Sequence, residues 1–354
     1  MPAHAAATMV YVGNADSQDL SLFELDSAGR LTPRGTVTVQ APAQPGRSML
    51  LAVAPNRQFL YAAYLRGAQS AVASYAIQQR SGVLRQVGGN TDLADVMSYI
   101  STDRSGRFLL SASYGGNKVA VNRILASGAV GDTLQTVDTA PKAHCILADP
   151  ANRHVLHTAL GGDVIYQDSF DARTGKLTPQ AHPTVTLPAN SGPRFLVFSR
   201  DGRFVYVIDE LDGAIHVFPF ESAAGESAAA GTVRTEVQVL STLPPGFSGK
   251  PWGADMHLTP DGRFLYTSER TSSTLAAFRV DPHSGRLTPL HWFPTVAQPR
   301  AFNIDPSGAY LLSSGQLSNS VRVYSIDAAS GELTPLGEYP VGKNPTWVEI
   351  VQLP

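Results

Sequence analysis

One unit of apolar and polar residues recurs along the chain: a short apolar strand, a polar turn, a strand rich in aromatic and β-branched residues, and a third such strand. The sharpest copies are residues 198–206 (Phe-Ser-Arg-Asp-Gly-Arg-Phe-Val-Tyr) and 258–266 (Leu-Thr-Pro-Asp-Gly-Arg-Phe-Leu-Tyr), with looser ones at 54–61, 103–110, 149–156 and 305–312. Pro, Asp and Gly in this order are turn chemistry, and the residues that follow alternate as a strand does. A second mark, Gly-x-Leu-Thr-Pro, starts at Gly29, Gly175, Gly285 and Gly331. Aligning the strand after the turn brings Tyr11, Tyr61, Leu110, Leu156, Tyr206, Tyr266 and Leu312 into register, at intervals of 46 to 60 residues.

A repeat of this length and strand content predicts an all-β, seven-bladed β-propeller with four antiparallel strands per blade, built as one domain over residues 1–354. No long segment carries the 3.6-residue period of a helical solenoid. The first unit lacks its opening strand, because Tyr11 lies too near the N-terminus. The tail at 345–350 (Pro-Thr-Trp-Val-Glu-Ile) matches the opening strand at 299–304 (Pro-Arg-Ala-Phe-Asn-Ile), so the C-terminal strand is expected to pair into the first blade and close the ring. The Ser/Ala/Gly stretch at 222–231 reads as a surface loop. The richer segment at 243–252 reads either as an arch over a channel mouth or as a plain inter-blade connection.

Composition narrows the partners. With 27 basic and 29 acidic residues the net charge is -2, which gives no electrostatic case for nucleic acid or an anionic membrane. No apolar run approaches the roughly 20 residues of a membrane-spanning helix. The N-terminal residues have neither a basic nor an apolar signal region, and Cys145 is the only cysteine; both point to a reducing, cytoplasmic setting. The expected partner is a small molecule, and the protein a monomer or weak homo-oligomer.

The innermost strand of each blade lines the channel, so equivalent positions in different blades face one another. Superposing the turns puts His144, Arg194 and Arg300 in one slot, with Met49, Ser98, Ala254 and Thr346 as their equivalents. A second slot holds Glu210, Arg270, Gln316 and Tyr114. Arg194 and Glu210 each lie eight residues from Gly202, one on each side, so the two slots are expected to be cross-strand neighbours at the end away from the turn. The pairings are Arg194 with Glu210, Arg300 with Gln316 and Ser98 with Tyr114, and Asp255 is expected beside them. Polar residues in a wet channel can serve blade packing alone. Arg, His and Glu converging on one concave mouth instead make an anion-reading, proton-transferring site. No metal is expected, since no Cys/His spacing resembles a zinc site; His257, two residues from Asp255 on the same strand face, leaves a metal pair there as the less favoured alternative. A serine hydrolase elbow is absent.

The same residues carry a resemblance. Gly192-Pro193-Arg194, Asp209-Glu210-Leu211, residues 254–263 (Ala-Asp-Met-His-Leu-Thr-Pro-Asp-Gly-Arg), Glu269-Arg270-Thr271 and residues 298–305 (Gln-Pro-Arg-Ala-Phe-Asn-Ile-Asp) resemble the β-propeller 6-phosphogluconolactonase family, which also contains carboxymuconate-cyclising enzymes. The resemblance implies a seven-bladed propeller and a lactonase without a cofactor. It also implies a catalytic group at His144, Arg194, Glu210 and Arg270. The chain departs from the family where Ala159 replaces an aspartate and Ser113 an asparagine, and around Lys142 to Cys145.

The implied chemistry is hydrolysis of a sugar-acid lactone by water at the channel mouth. Glu210 or His144 would act as base, and Arg194 or Arg270 would stabilise the oxyanion. Arg300, Arg270 or Lys142 would hold a phosphate or carboxylate, with Asp255, Tyr114 and Gln316 also contacting substrate. A muconate-type lactonising cycloisomerase and a non-catalytic interaction propeller are the alternatives.

Overall fold

Each turn of the Asp-Gly type joins the innermost strand of a blade to the second strand, as the alternation requires. The computed structural model describes residues 7–39, 47–221 and 231–354. Its strands form seven antiparallel sheets, each four strands deep; in blades 2 and 5 the outer position is split between two short strands. From blade 2 to blade 7 the innermost strands are Leu50–Val53, Met97–Thr102, Ala143–Ala148, Pro193–Phe198, Gly253–Leu258 and Pro299–Ile304. Blade 1 takes its innermost strand, Pro345–Gln352, from the far end of the chain, where it pairs antiparallel with Thr8–Asn14. These seven strands touch their neighbours in a closed cycle around the axis. The expected propeller and its closure are both present. One 3₁₀ turn, Leu160–Gly162, is the only helical element among the described residues. Most of the Ser/Ala/Gly stretch lies outside them.

The seven aligned positions all fall on second strands and are fully buried. Where the residue is tyrosine, its hydroxyl can latch onto the next blade. Tyr206 donates to the Gly285 carbonyl at 3.0 Å, Tyr266 to that of Gly331 at 2.8 Å, and Tyr11 to that of Gly82 at 2.8 Å. The Gly-x-Leu-Thr-Pro mark begins with glycine for a separate, steric reason. At Gly285 the backbone is left-handed (φ 69°), and a Cβ there would run into the Phe204 ring of the preceding blade.

A second device sets the approach to the innermost strands. Residues in left-handed conformation in the hairpins between second and third strands cap the loop that enters the next blade. Asn117 accepts the Lys142 amide, Ser273 that of Gln298 and Asn319 that of Asn344. Asp163 accepts two amides, Asn190 at 2.8 Å and Gly192 at 2.9 Å. The loops fixed by Asn117, Asp163 and Ser273 lead directly to His144, Arg194 and Arg300 at the channel mouth, and the one fixed by Asn319 leads to Thr346.

Candidate active site

The two slots do not pair as plain antiparallel neighbours. Glu210 pairs through its amide with the Gly192 carbonyl (2.8 Å), and the register between Pro193↔Asp209 and Phe195↔Ile208 leaves Arg194 as the extra residue of a β-bulge. His144, Arg300, Ser98 and Thr346 are bulged in the same way, and in blade 6 the irregularity spans Ala254 and Asp255. A bulge bends its strand and re-aims one side chain. Here it recurs in six blades at one repeat position, and in four of them the bulged residue, Ser98, His144, Arg194 or Arg300, lines the cavity at the channel mouth. Counting residues from the turn could not reveal it, because an antiparallel ladder without a bulge has the same length of sequence.

Arg194 still meets Glu210, through side chains. Its Nε donates to Glu210 Oε2 at 3.0 Å, and its Nη1 bonds the Ala254 carbonyl. Arg270, one residue beyond its strand, donates from Nη2 to the same Oε2 at 2.7 Å and to the Gly253 carbonyl at 2.8 Å. Glu210 is therefore clamped by two guanidinium groups at one oxygen, while Oε1 makes no bond among the described residues. Arg300 reaches across blade 1 to the Arg47 carbonyl (3.0 Å) and the Ser48 hydroxyl (2.7 Å). These residues, with His144 and Tyr114, line one cavity of about 600 Å³ at the channel mouth. Six of the nine expected site residues are thus brought together.

The other three are not. Gln316 turns away to donate to Asn344 Oδ1 at 2.7 Å. Lys142 is exposed, its ammonium 5.7 Å from the centre of the Tyr114 ring at the edge of the mouth. Asp255 does not join the rim: as part of the blade 6 irregularity it enters the channel interior, where it accepts the Phe302 amide at 3.0 Å and pairs with His257 at 3.3 Å. The sequence reading passed over Trp252, which lies 4.0 Å from the Arg270 guanidinium and lines the cavity. The segment at 243–252 thus reaches the mouth through its last residue. The available signal was its place two residues before the Ala254 slot.

An aromatic layer closes the channel below the site. Phe195 meets Tyr99 at 5.0 Å, and Tyr99 meets Trp347 at 5.4 Å, both edge to face. His144 rests edge-on against Phe195 at 5.4 Å, and the Arg194 guanidinium lies 4.2 Å from the same ring. Beyond this layer a second cavity of about 440 Å³ opens toward the other end of the inner strands and contains Asp255, His257 and Glu349.

The electrostatics follow from burial. Arg194 and Arg270 are almost fully buried and Arg300 half-buried; the carboxylate that Arg194 and Arg270 share is Glu210, and Asp95 is a second carboxylate on the cavity wall. Burial and mutual repulsion pull Arg270 down to about 9 and Arg300 to about 10, so both remain cations at neutral pH. Burial works against ionisation of Glu210, but the arginines outweigh it and keep its pKa below the usual carboxylate value. His144 is 4% exposed, and its buried Nδ1 has no hydrogen-bond partner among the described residues. Burial, reinforced by Arg194, Arg300 and Arg270, holds it well below the ordinary imidazole value, so it is neutral. Behind Glu210, Asp209 pairs with His216 at 2.8 Å, and His216 also bonds Glu236. Burial raises Asp209 to about 6; the two carboxylates overcome burial at His216 and raise it to about 9. Cys145, buried in the core, is no part of the site.

The closed ring of seven blades agrees with the family described as "Lactonase, 7-bladed beta-propeller", which matches residues 9–350. The chain belongs to this family. Among curated relatives, the 6-phosphogluconolactonase of Pectobacterium carotovorum subsp. carotovorum (strain PC1) is 39% identical over 345 residues, covering 98% of this chain and 99% of its own. That of Serratia proteamaculans (strain 568) is also 39% identical, covering 97% and 98%. Among solved structures, the Pseudomonas aeruginosa periplasmic gluconolactonase superposes with a TM-score of 0.86 at 27% identity, covering 99% of this chain and all of its own. A Lactobacillus plantarum protein superposes with a TM-score of 0.84 at 25% identity.

Proposed function

We propose that this lactonase-family protein hydrolyses the lactone of a phosphorylated sugar acid, of the 6-phosphogluconolactone type, at the Arg/Glu/His mouth of its channel. The observation that carries the reading is the cationic surplus: Arg47, Arg194, Arg270 and Arg300 line one cavity against two carboxylates, Glu210 and Asp95, so an anionic ligand brings the site toward charge balance. The full-length relatives carrying the 6-phosphogluconolactonase name support the same substrate class.

In this mechanism the lactone phosphate sits against Arg300 and the exposed Lys142. The carbonyl oxygen faces the unbonded edges of Arg194 and Arg270, whose charges stabilise the oxyanion of the tetrahedral intermediate. Neutral His144 takes a proton through the ring nitrogen that is open to the cavity as water adds to the carbonyl carbon. It returns that proton to the ring oxygen as the carbon–oxygen bond breaks. Glu210 is the weaker base, since two arginines hold its charge; its Oε1 orients the water. The bound phosphate offsets the arginine field around His144 and so restores its basicity. The acid formed ionises and releases one proton. A cytoplasmic setting belongs to this proposal, supported by the single buried thiol.

A pH-drop assay with δ-6-phosphogluconolactone tests it. His144→Asn and Arg270→Ala are each expected to lower kcat by ~10²-fold or more, in proteins that melt within a few degrees of the parent. Full activity in both variants, or turnover of the unphosphorylated lactone at the same kcat/KM, would remove the assignment. Carboxymuconate run alongside separates hydrolysis from cycloisomerisation.

A further inference from the structure

We propose that Trp252 is a positioning residue, and that its indole is what registers the Arg270 guanidinium against Glu210; the proposal rests on the lactonase reading of this mouth. The rim backbone bond is common to several blades: Leu160 donates to the Lys142 carbonyl, Glu210 to Gly192, Gln316 to Gln298 and Arg270 to Trp252, at 2.8 to 3.1 Å. Only in blade 6 does the residue supplying that carbonyl also close a ring over the side chain it receives. The Arg270 guanidinium lies 4.0 Å from the Trp252 ring centre. Its Nε donates to the Trp252 carbonyl at 3.2 Å and its Nη2 to the Gly253 carbonyl at 2.8 Å. That leaves Nη1 as the edge with no partner among the described residues.

The Trp252–Gly253 step is in turn wedged between blades 5 and 6. The Trp252 amide donates to Glu269 Oε1 at 2.7 Å, and the Gly253 amide donates to the Glu210 carbonyl at 3.1 Å. Any Cβ on Gly253 would run into the Asp209 carbonyl oxygen, so the two chains are in the closest contact a glycine allows. One dipeptide therefore touches the backbone of Glu210 and three atoms of the Arg270 side chain. Trp252 is 38% exposed. It is no core anchor, and an exposed tryptophan over a buried arginine is explained by what it holds in place.

The test compares Trp252→Ala, Trp252→Leu and Trp252→Phe with the parent. We expect kcat for δ-6-phosphogluconolactone to fall about tenfold or more in the alanine and leucine variants, with KM changing much less, because misplacing a charge that acts in the transition state costs rate. Phenylalanine, which keeps a π face, should retain kcat within about threefold. Melting temperatures should stay close to the parent. A readout free of substrate is the Arg270 Nε–H resonance of ¹⁵N-labelled protein, assigned by its loss in Arg270→Lys. It should be sharp and slow to exchange in the parent and the phenylalanine variant, and broadened in the other two. Parental kcat and an unchanged resonance in Trp252→Leu would overturn the proposal. So would a rise in KM alone, which would make Trp252 a substrate contact. A parent that does not open the lactone would sink the lactonase reading, while the resonance comparison would still decide the role of Trp252.

Discussion

Glu210 Oε2 receives both Arg194 and Arg270, and this single oxygen sets the logic of the site. It fixes two cations in one plane of the cavity and spends the basicity of the carboxylate in doing so. The neutral imidazole of His144 is left as the group able to accept a proton. Its low pKa has a measurable consequence. In the free enzyme the acid limb of kcat/KM should lie well below pH 6.5, since the field of Arg194, Arg300 and Arg270 adds to burial in disfavouring the imidazolium. Removing one of those charges raises the His144 pKa, so Arg300→Gln should move the acid limb to higher pH, toward the ordinary imidazole value. A limb that stays in place, measured in buffers of constant ionic strength, would show that His144 does not govern the profile.

At the scale of an element, the device is a bulged inner strand delivered by a capped loop. The bulge turns Arg194, His144 and Arg300 out of the ladder, and the cap fixes the point from which each strand starts. In blade 5 the cap is Asp163, whose carboxylate takes two amides just upstream of Arg194. Asp163→Ala is expected to cost about 1.5–3 kcal/mol, the usual worth of hydrogen bonds to a charged group. It should also lower kcat more than it raises KM, because Arg194 loses its fixed approach. Denaturant unfolding and steady-state kinetics on one preparation check both. The hydrophobic alternation that marks these strands in the sequence is blind to the bulge. Period two survives on either side of it, and the extra residue looks like any other polar position near a strand end.

At the scale of the whole molecule, stability depends on ring closure. Pro345–Gln352 supplies the inner strand of blade 1 and brings Trp347 into the aromatic layer, where it packs on Tyr99 and Phe195. A chain ending at Asn344 would leave blade 1 with an open inner edge and a gap in the channel floor. Its neighbouring blades would lose packing on that face. We expect such a truncation to abolish cooperative melting rather than to lower the melting temperature by a few degrees. A sharp transition near that of the full chain, followed by circular dichroism, would contradict closure by the tail.

The amino-acid sequence by itself determined the number of blades, the strand that closes the ring and the repeat positions that carry the charged residues of the channel mouth. These are properties of a repeat, and superposing repeats converts spacing into position. The anchor tyrosines and the Gly-x-Leu-Thr-Pro turns were visible for the same reason, though their role as inter-blade latches was not. Tertiary structure alone decided which slot residues share a cavity. Gln316 and Asp255 occupy or adjoin the right repeat positions, yet one bonds a neighbouring loop and the other is drawn below the rim. Trp252 went unnoticed because its partner, Arg270, is eighteen residues away on the next strand and the contact depends on how the two chains approach at Gly253. Repeat arithmetic places Cα atoms around an axis. Where a long side chain goes from there is settled by bulges, hydrogen-bond partners and free space, none of which has a period.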